Sequence, residues 1–118
     1  MRRILFVDSE PHIQQLCLEE LQDEGYEVLV AGSGGDVVRL VDTYHPDVVI
    51  LEVVLPDMSG LETGRMVKGT SKQTRLVFFS HVQPPRNLKE WGADAYVYKS
   101  PDLATLKETL RSLMLNHI

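Results

Sequence analysis

Four residues suited to phosphate or metal chemistry each stand at the end of an apolar, β-branched-rich run. Asp8 follows ILFV, Glu52 follows VVIL, Ser80 follows LVFF and Lys99 follows YVY. A carboxylate can accept a phosphoryl group or ligate a hard cation, a hydroxyl can donate to a phosphoryl oxygen, and an ammonium can neutralise one. If the four runs are buried parallel strands, their carboxyl ends line one edge of a sheet, where open α/β folds hold their ligand sites.

The elements that must position these residues alternate along the chain, strand-like then helix-like, five times over. A first strand is expected over Arg3–Val7, then a helix with Pro11 in its first turn, a stripe of Ile13, Leu16, Cys17 and Leu21, and a stop at Gly25. A second strand over Tyr26–Ala31 leads through GSGG to a helix with Val37, Leu40, Val41 and Tyr44 on its apolar face, ended by His45-Pro46. The third strand, Asp47–Leu51, is apolar throughout after its aspartate, which places it at the sheet centre. The turn-rich VVLPDMSG precedes a third helix over Leu61–Lys68, and the fourth strand runs Arg75–Phe79. In HVQPPRNLKEWG, Pro84 and Pro85 leave room only for a short fourth helix, before a fifth strand at Ala95–Tyr98. The last helix carries Leu103, Leu106, Leu110 and Leu113.

The 118 residues read as one domain, 1–118, large enough to bury about two-thirds of its unfolded surface without a metal or disulfide. Cys17 is the sole cysteine, which excludes an internal disulfide, and its place in the helical stripe makes it a packing residue. A net charge of −5 argues against direct nucleic-acid binding. The apolar stretch Ile4–Val7 is too short for an export signal or a membrane span, so a cytoplasmic protein with no membrane contact is expected.

VDSEP, PDVVIL, LPDMSGLE, the hydroxyl in FFS, GADAY and the lysine in YKSP stand in an order and spacing that resemble the receiver domain of two-component response regulators, from about Arg3 to Leu115. The resemblance implies a flavodoxin-like doubly wound parallel sheet of order 2-1-3-4-5 with five helices, and a site at the carboxyl edge near strands one and three. It also implies a sensor histidine kinase as partner, a phosphoryl group accepted on an aspartate after strand three, and a magnesium ion held by acidic side chains.

Two departures stand out. The acceptor position is Glu52, and the acidic pair after strand one is reduced to Asp8 followed by Ser9. Asp8, Glu52 and the Val54 backbone carbonyl remain as magnesium candidates. Ser80 matches the phosphate-contacting hydroxyl, Lys99 the paired cation, and Tyr96 the switch aromatic. The extra methylene of glutamate displaces its carboxylate by about 1.5 Å, and a ~1 Å misplacement of a reacting group can cost on the order of 100-fold in rate. Magnesium demands near-ideal octahedral oxygen geometry, and Ser9 offers a neutral hydroxyl where a carboxylate would sit, so no cofactor is expected. The longer arm can instead reach Ser80 and Lys99, and the loss of one acid at position 9 eases repulsion there. Glu52 is therefore expected to act as a fixed anchor in a phosphorylation-independent receiver that works through protein contacts rather than catalysis.

Three other readings share some of these residues. A receiver still phosphorylated at Glu52 would keep the ordinary chemistry. A haloacid-dehalogenase-like, magnesium-dependent phosphatase would use Asp8, Ser80 and Lys99, but it wants an aspartate where Glu10 stands and a larger core. A flavodoxin-like carrier needs a glycine- and hydroxyl-rich loop where DSEPHIQ has no glycine. His12, His45, His81 and His117 lack metal-ligand spacing and are expected at the surface, His81 bordering the site. In the family, helix four, strand five and helix five meet an effector domain, a second receiver or another signalling protein. Pro84–Trp91 alters that surface here; Trp91 either contacts a partner or plugs the core, and any exposed edge of the last leucine stripe would support a homodimer.

Overall fold

The computed structural model describes residues 2–115, in which five parallel strands form one sheet. In chain order these are β1 (Arg3–Val7), β2 (Glu27–Ala31), β3 (Val48–Leu51), β4 (Arg75–Ser80) and β5 (Ala95–Tyr98), arranged β2-β1-β3-β4-β5. Four α-helices accompany them: α1 (Pro11–Asp23), α2 (Gly34–Tyr44), α3 (Gly60–Thr70) and α4 (Ala104–Leu115). This is the flavodoxin-like order expected from the sequence.

Alternation of side chains along each strand divides the core. Ile4 and Phe6 of β1, with Val48 and Ile50 of β3, face Cys17 and Leu21 of α1 and Leu106 and Leu110 of α4. Leu5, Val7, Val49 and Leu51 point the other way, onto Val37 and Val41 of α2 and Val67 of α3. β3 is buried at all four positions, as its unbroken apolarity requires of a central strand.

Helix ends follow local chemistry. Pro11 opens α1, where its missing N–H costs nothing, and Gly25 beyond its end adopts φ +93°, open to glycine without strain. Ser59 caps α3 by accepting the Glu62 N–H at 3.1 Å.

The sequence expectation of five helices needs one correction. The fourth is a single 3-10 turn, Leu88–Trp91. Asn87 caps it through the Lys89 N–H at 3.0 Å, and Gly92 at φ +69° ends it one turn later, which leaves no length for an α-helical hydrogen-bond ladder. Trp91 does not project from this turn as a bare contact: it is half-buried, edge-on to Phe78 with ring centroids 5.4 Å apart and 6.2 Å from Tyr96.

Candidate functional site

Strand register gathers the site. Val7 pairs with Leu51 and Ser80 with Tyr98, so the residues that follow, Asp8, Glu52 and Lys99, emerge side by side with Ser80 at the carboxyl edge. Backbone bonds carry the register one step further, Glu52 N–H to Val7 C=O at 3.1 Å and Lys99 N–H to Ser80 C=O at 3.0 Å.

Lys99 is the centre of the cluster. Its Nζ lies 2.5 Å from Asp8 Oδ2 and 2.5 Å from Glu52 Oε1, and each of the three side chains is at most 10% exposed. The Glu52 contact is a hydrogen bond, whereas Asp8 Oδ2 meets the ammonium as an ion pair and has no other partner. Asp8 Oδ1 accepts the Glu10 N–H at 2.9 Å.

Glu52 uses both carboxylate oxygens. While Oε1 takes the Lys99 proton donor, Oε2 folds back to accept the Val53 N–H at 2.6 Å, the Val54 N–H at 3.2 Å and the Ser80 hydroxyl. Burial opposes ionisation of Glu52, but the hydrogen bonds from Lys99, Ser80 and Val54 outweigh it and hold the carboxyl below its usual range. Burial likewise works against the charged Lys99, and its contacts with Asp8 and Glu52 reverse this and raise its pKa. Two carboxylates and one ammonium leave the crevice with one net negative charge.

From Ser80 the network reaches Tyr96, whose hydroxyl donates to the Val82 carbonyl and, at 3.4 Å, to that of Ser80. Ser9 is exposed. Val54 joins the cluster through its N–H and is itself 66% exposed. His12, His45 and His81 are exposed, and His81 borders an apolar cavity of about 250 Å³ beside the crevice, also lined by Leu16, Cys17 and Lys99; His117 lies outside the described residues. Burial pushes the Cys17 thiol up to about 12, so it stays protonated at neutral pH.

Magnesium fits these residues poorly. The unpartnered Asp8 oxygen is the kind of atom a cation would take, but the Lys99 ammonium already sits against it. Glu52 spends both oxygens on protein donors, Ser9 is neutral, and among the described residues no three His, Cys, Asp or Glu side chains converge.

Two features of the site escape a reading by residue type. Asp57, in the loop after β3, accepts the Gly34 and Gly35 amides at 2.9 and 2.8 Å and so staples that loop to the start of α2. Gly60 passes so close to the acceptor position that a Cβ would come within 2.2 Å of the Glu52 carbonyl oxygen. The LPDMSG sequence signals a turn; it does not show that its aspartate and glycine fix the backbone beneath Glu52.

Among known protein families, residues 4–111 match the model described as response regulator receiver domain. The chain is 35% identical over 115 residues to the transcriptional regulatory protein TrcR of Mycobacterium tuberculosis, an overlap that takes in 95% of this chain and 45% of TrcR, so it spans less than half of that relative. Against the protein PilH of Pseudomonas aeruginosa it is 30% identical over 119 residues, covering 97% of this chain and 98% of PilH. The response regulator TrrA of Thermotoga maritima, crystallised with Mg(2+)-BeF, superimposes with a TM-score of 0.88 at 38% identity over 96% of this chain and 99% of that one. TrrA in complex with the histidine kinase ThkA gives a TM-score of 0.88 at 36% identity, covering 97% and 99%.

Proposed function

The chain belongs to the response regulator receiver domain family, and on that premise we propose that it is a phosphorylation-independent receiver in which Glu52 serves as a built-in anchor. One observation carries this reading. The Glu52 carboxylate already takes the Lys99 ammonium, the Ser80 hydroxyl and two backbone N–H donors. Of these donors, Lys99 and Ser80 are the two that the family resemblance assigns to an incoming phosphoryl group. A buried, charge-assisted set of this kind is stronger than a surface ion pair.

The same arrangement works against phosphoryl transfer. An attacking carboxylate oxygen must be free and in line with the phosphorus, whereas here neither oxygen is free. We further propose that the site operates without magnesium, since its carboxylates are committed to Lys99.

On this reading the chain acts by binding rather than by catalysis. TrrA was solved with the histidine kinase ThkA, which supports a sensor kinase or a related signalling protein as partner. An effector domain, a second receiver or another copy of the chain fits the same mode of action. No described helix is long and apolar enough to cross a membrane, in keeping with a cytoplasmic role.

The test supplies magnesium and a small-molecule phosphodonor to the whole chain and follows its intact mass. No phosphoryl adduct is expected. A stoichiometric adduct at Glu52 would return the protein to ordinary phosphorylation control.

A further inference from the structure

Charge is divided unevenly along this chain. Residues 63–89 hold six of the twelve Lys and Arg residues, Arg65, Lys68, Lys72, Arg75, Arg86 and Lys89, and none of the seventeen Asp and Glu. In a protein of net charge −5 this is a local reversal of sign.

The fold brings most of that stretch to one surface, away from the Glu52 crevice. Arg65 and Lys68 lie three residues apart on α3, and Lys72 continues their row in the turn beyond it. Arg75 opens β4 at the opposite end from Ser80. The 3-10 turn that bears Lys89 packs against α3, and a Cβ on its closing Gly92 would touch the Lys68 stem at 3.9 Å. Lys68, Lys72, Gln73, Arg75 and Asp94 line a cavity of about 250 Å³ on this face.

Few of these cations have partners. Asp94 pairs with Lys68 at 3.0 Å and stands 3.9 Å from Arg75. Arg65, Lys72, Arg86 and Lys89 form no ion pair among the described residues, and all four are exposed. The same elements also carry Glu62, on α3, and Glu90, in the 3-10 turn, so the surface keeps an excess of cations over acids, and an incoming anionic surface relieves their mutual repulsion while steering its own approach.

We propose that the surface formed by α3, the turn after it and the 3-10 turn is a docking site for a carboxylate-rich segment of a partner protein. Charge complementarity and size together select this occupant. The whole molecule measures about 31 × 30 × 29 Å, and α2, which packs beside α3, carries Asp36 and Asp42. A nucleic acid would run off the basic face onto acidic ground, whereas a short acidic segment is confined to it. The site is separate from the Glu52 cluster and does not depend on how that cluster works.

The experiment titrates the isotope-labelled chain with a short poly-glutamate peptide at low ionic strength and maps backbone amide shifts. Shifts are expected over residues 65–75 and 86–92 and not around Glu52. The Lys72→Glu, Lys89→Glu double variant alters two exposed side chains that bond nothing in the fold, so it should fold as the parent does, and it should bind at least about tenfold more weakly, in line with two reversed surface charge contacts. Binding should also fall as salt shortens the Debye length from about 30 Å at 0.01 M to about 8 Å at 0.15 M. Shifts that are absent, scattered, or unchanged in the double variant would overturn the proposal. So would tighter binding of a DNA oligonucleotide at the same face, or self-association that occupies it.

Discussion

Replacing Glu52 by glutamine keeps the side chain's length and shape and removes its charge, so it isolates what the carboxylate does. In the native crevice one oxygen accepts from Lys99 at 2.5 Å and the other from Val53, Val54 and Ser80. Glutamine has a single acceptor oxygen and a two-proton donor in place of the second. With the oxygen toward Lys99, its NH₂ faces the Val53 and Val54 N–H groups; turned round, its NH₂ faces the ammonium. Donors meet donors either way. Breaking a buried ion pair by removing one partner costs about 3–5 kcal/mol, and here Asp8 remains 2.5 Å from Lys99 to share the charge, so about 2–3 kcal/mol is expected from the lost charged hydrogen bonds. For a domain of this size that lowers Tm by roughly 8–12 °C.

Thermal unfolding followed by circular dichroism across a pH series measures it, and the pH dependence makes the test specific. The folded-state pKa of Glu52 lies below its ordinary 4.5. Its contribution is therefore fully present above the unfolded value and is lost as pH falls through the folded one. The gap between native protein and Glu52→Gln should be widest at neutral pH and close in acid. A gap below about 1 kcal/mol at neutral pH, less than one charged hydrogen bond, or one that does not change with pH, would refute the carboxylate's role as anchor.

Three further substitutions probe the same crevice. Lys99→Met leaves two buried carboxylates facing each other and should destabilise by about 3–5 kcal/mol at neutral pH, a loss partly recovered on acidification because protonation relieves the repulsion; pH-resolved unfolding reads both. The double variant Glu52→Asp, Ser9→Asp shortens the arm and restores the second acid, so with magnesium and a phosphodonor it should gain a phosphoryl adduct at position 52 by mass spectrometry, and magnesium should raise its Tm. Gly60→Ala drives a Cβ to 2.2 Å from the Glu52 carbonyl oxygen and 2.7 Å from the Val53 Cα; a loss of about 1–3 kcal/mol should appear in denaturant unfolding, with amide shifts centred on Val53 and Val54.

The sheet is legible in the sequence because each strand writes its burial into its composition. A short, unbroken and β-branched VVIL reads as a strand covered on both faces, and the residue after it then surfaces at the carboxyl edge. That reasoning places Asp8, Glu52, Ser80 and Lys99 on one rim before any distance is known. It fails at the segment after β4, where Pro84 and Pro85 announce a delayed helix start but Asn87 and Gly92, which bracket a single 3-10 turn, read as ordinary loop residues. It is also silent on Asp57 and Gly60, since a clamp on distant amides and a close backbone approach are three-dimensional facts that a turn motif does not encode.

The glutamate itself lies between these cases. Its type and position show that the arm is too long for the aspartate's place, and its length admits two outcomes: a carboxylate pushed out into solvent, or one folded back into the crevice. What decides between them is the supply of donors. Lys99 emerges one residue beyond the Ser80–Tyr98 pair, Ser80 offers its hydroxyl on the neighbouring strand, and the backbone turns sharply enough after β3 for both the Val53 and Val54 N–H groups to point at one oxygen. Four donors converging on a buried anion offset the cost of taking it out of water, which one or two would not. A shorter aspartate would reach fewer of them and leave an oxygen unclaimed. On the proposed reading, the extra methylene that displaces the Glu52 carboxylate from an acceptor's place is the same feature that lets it close the crevice.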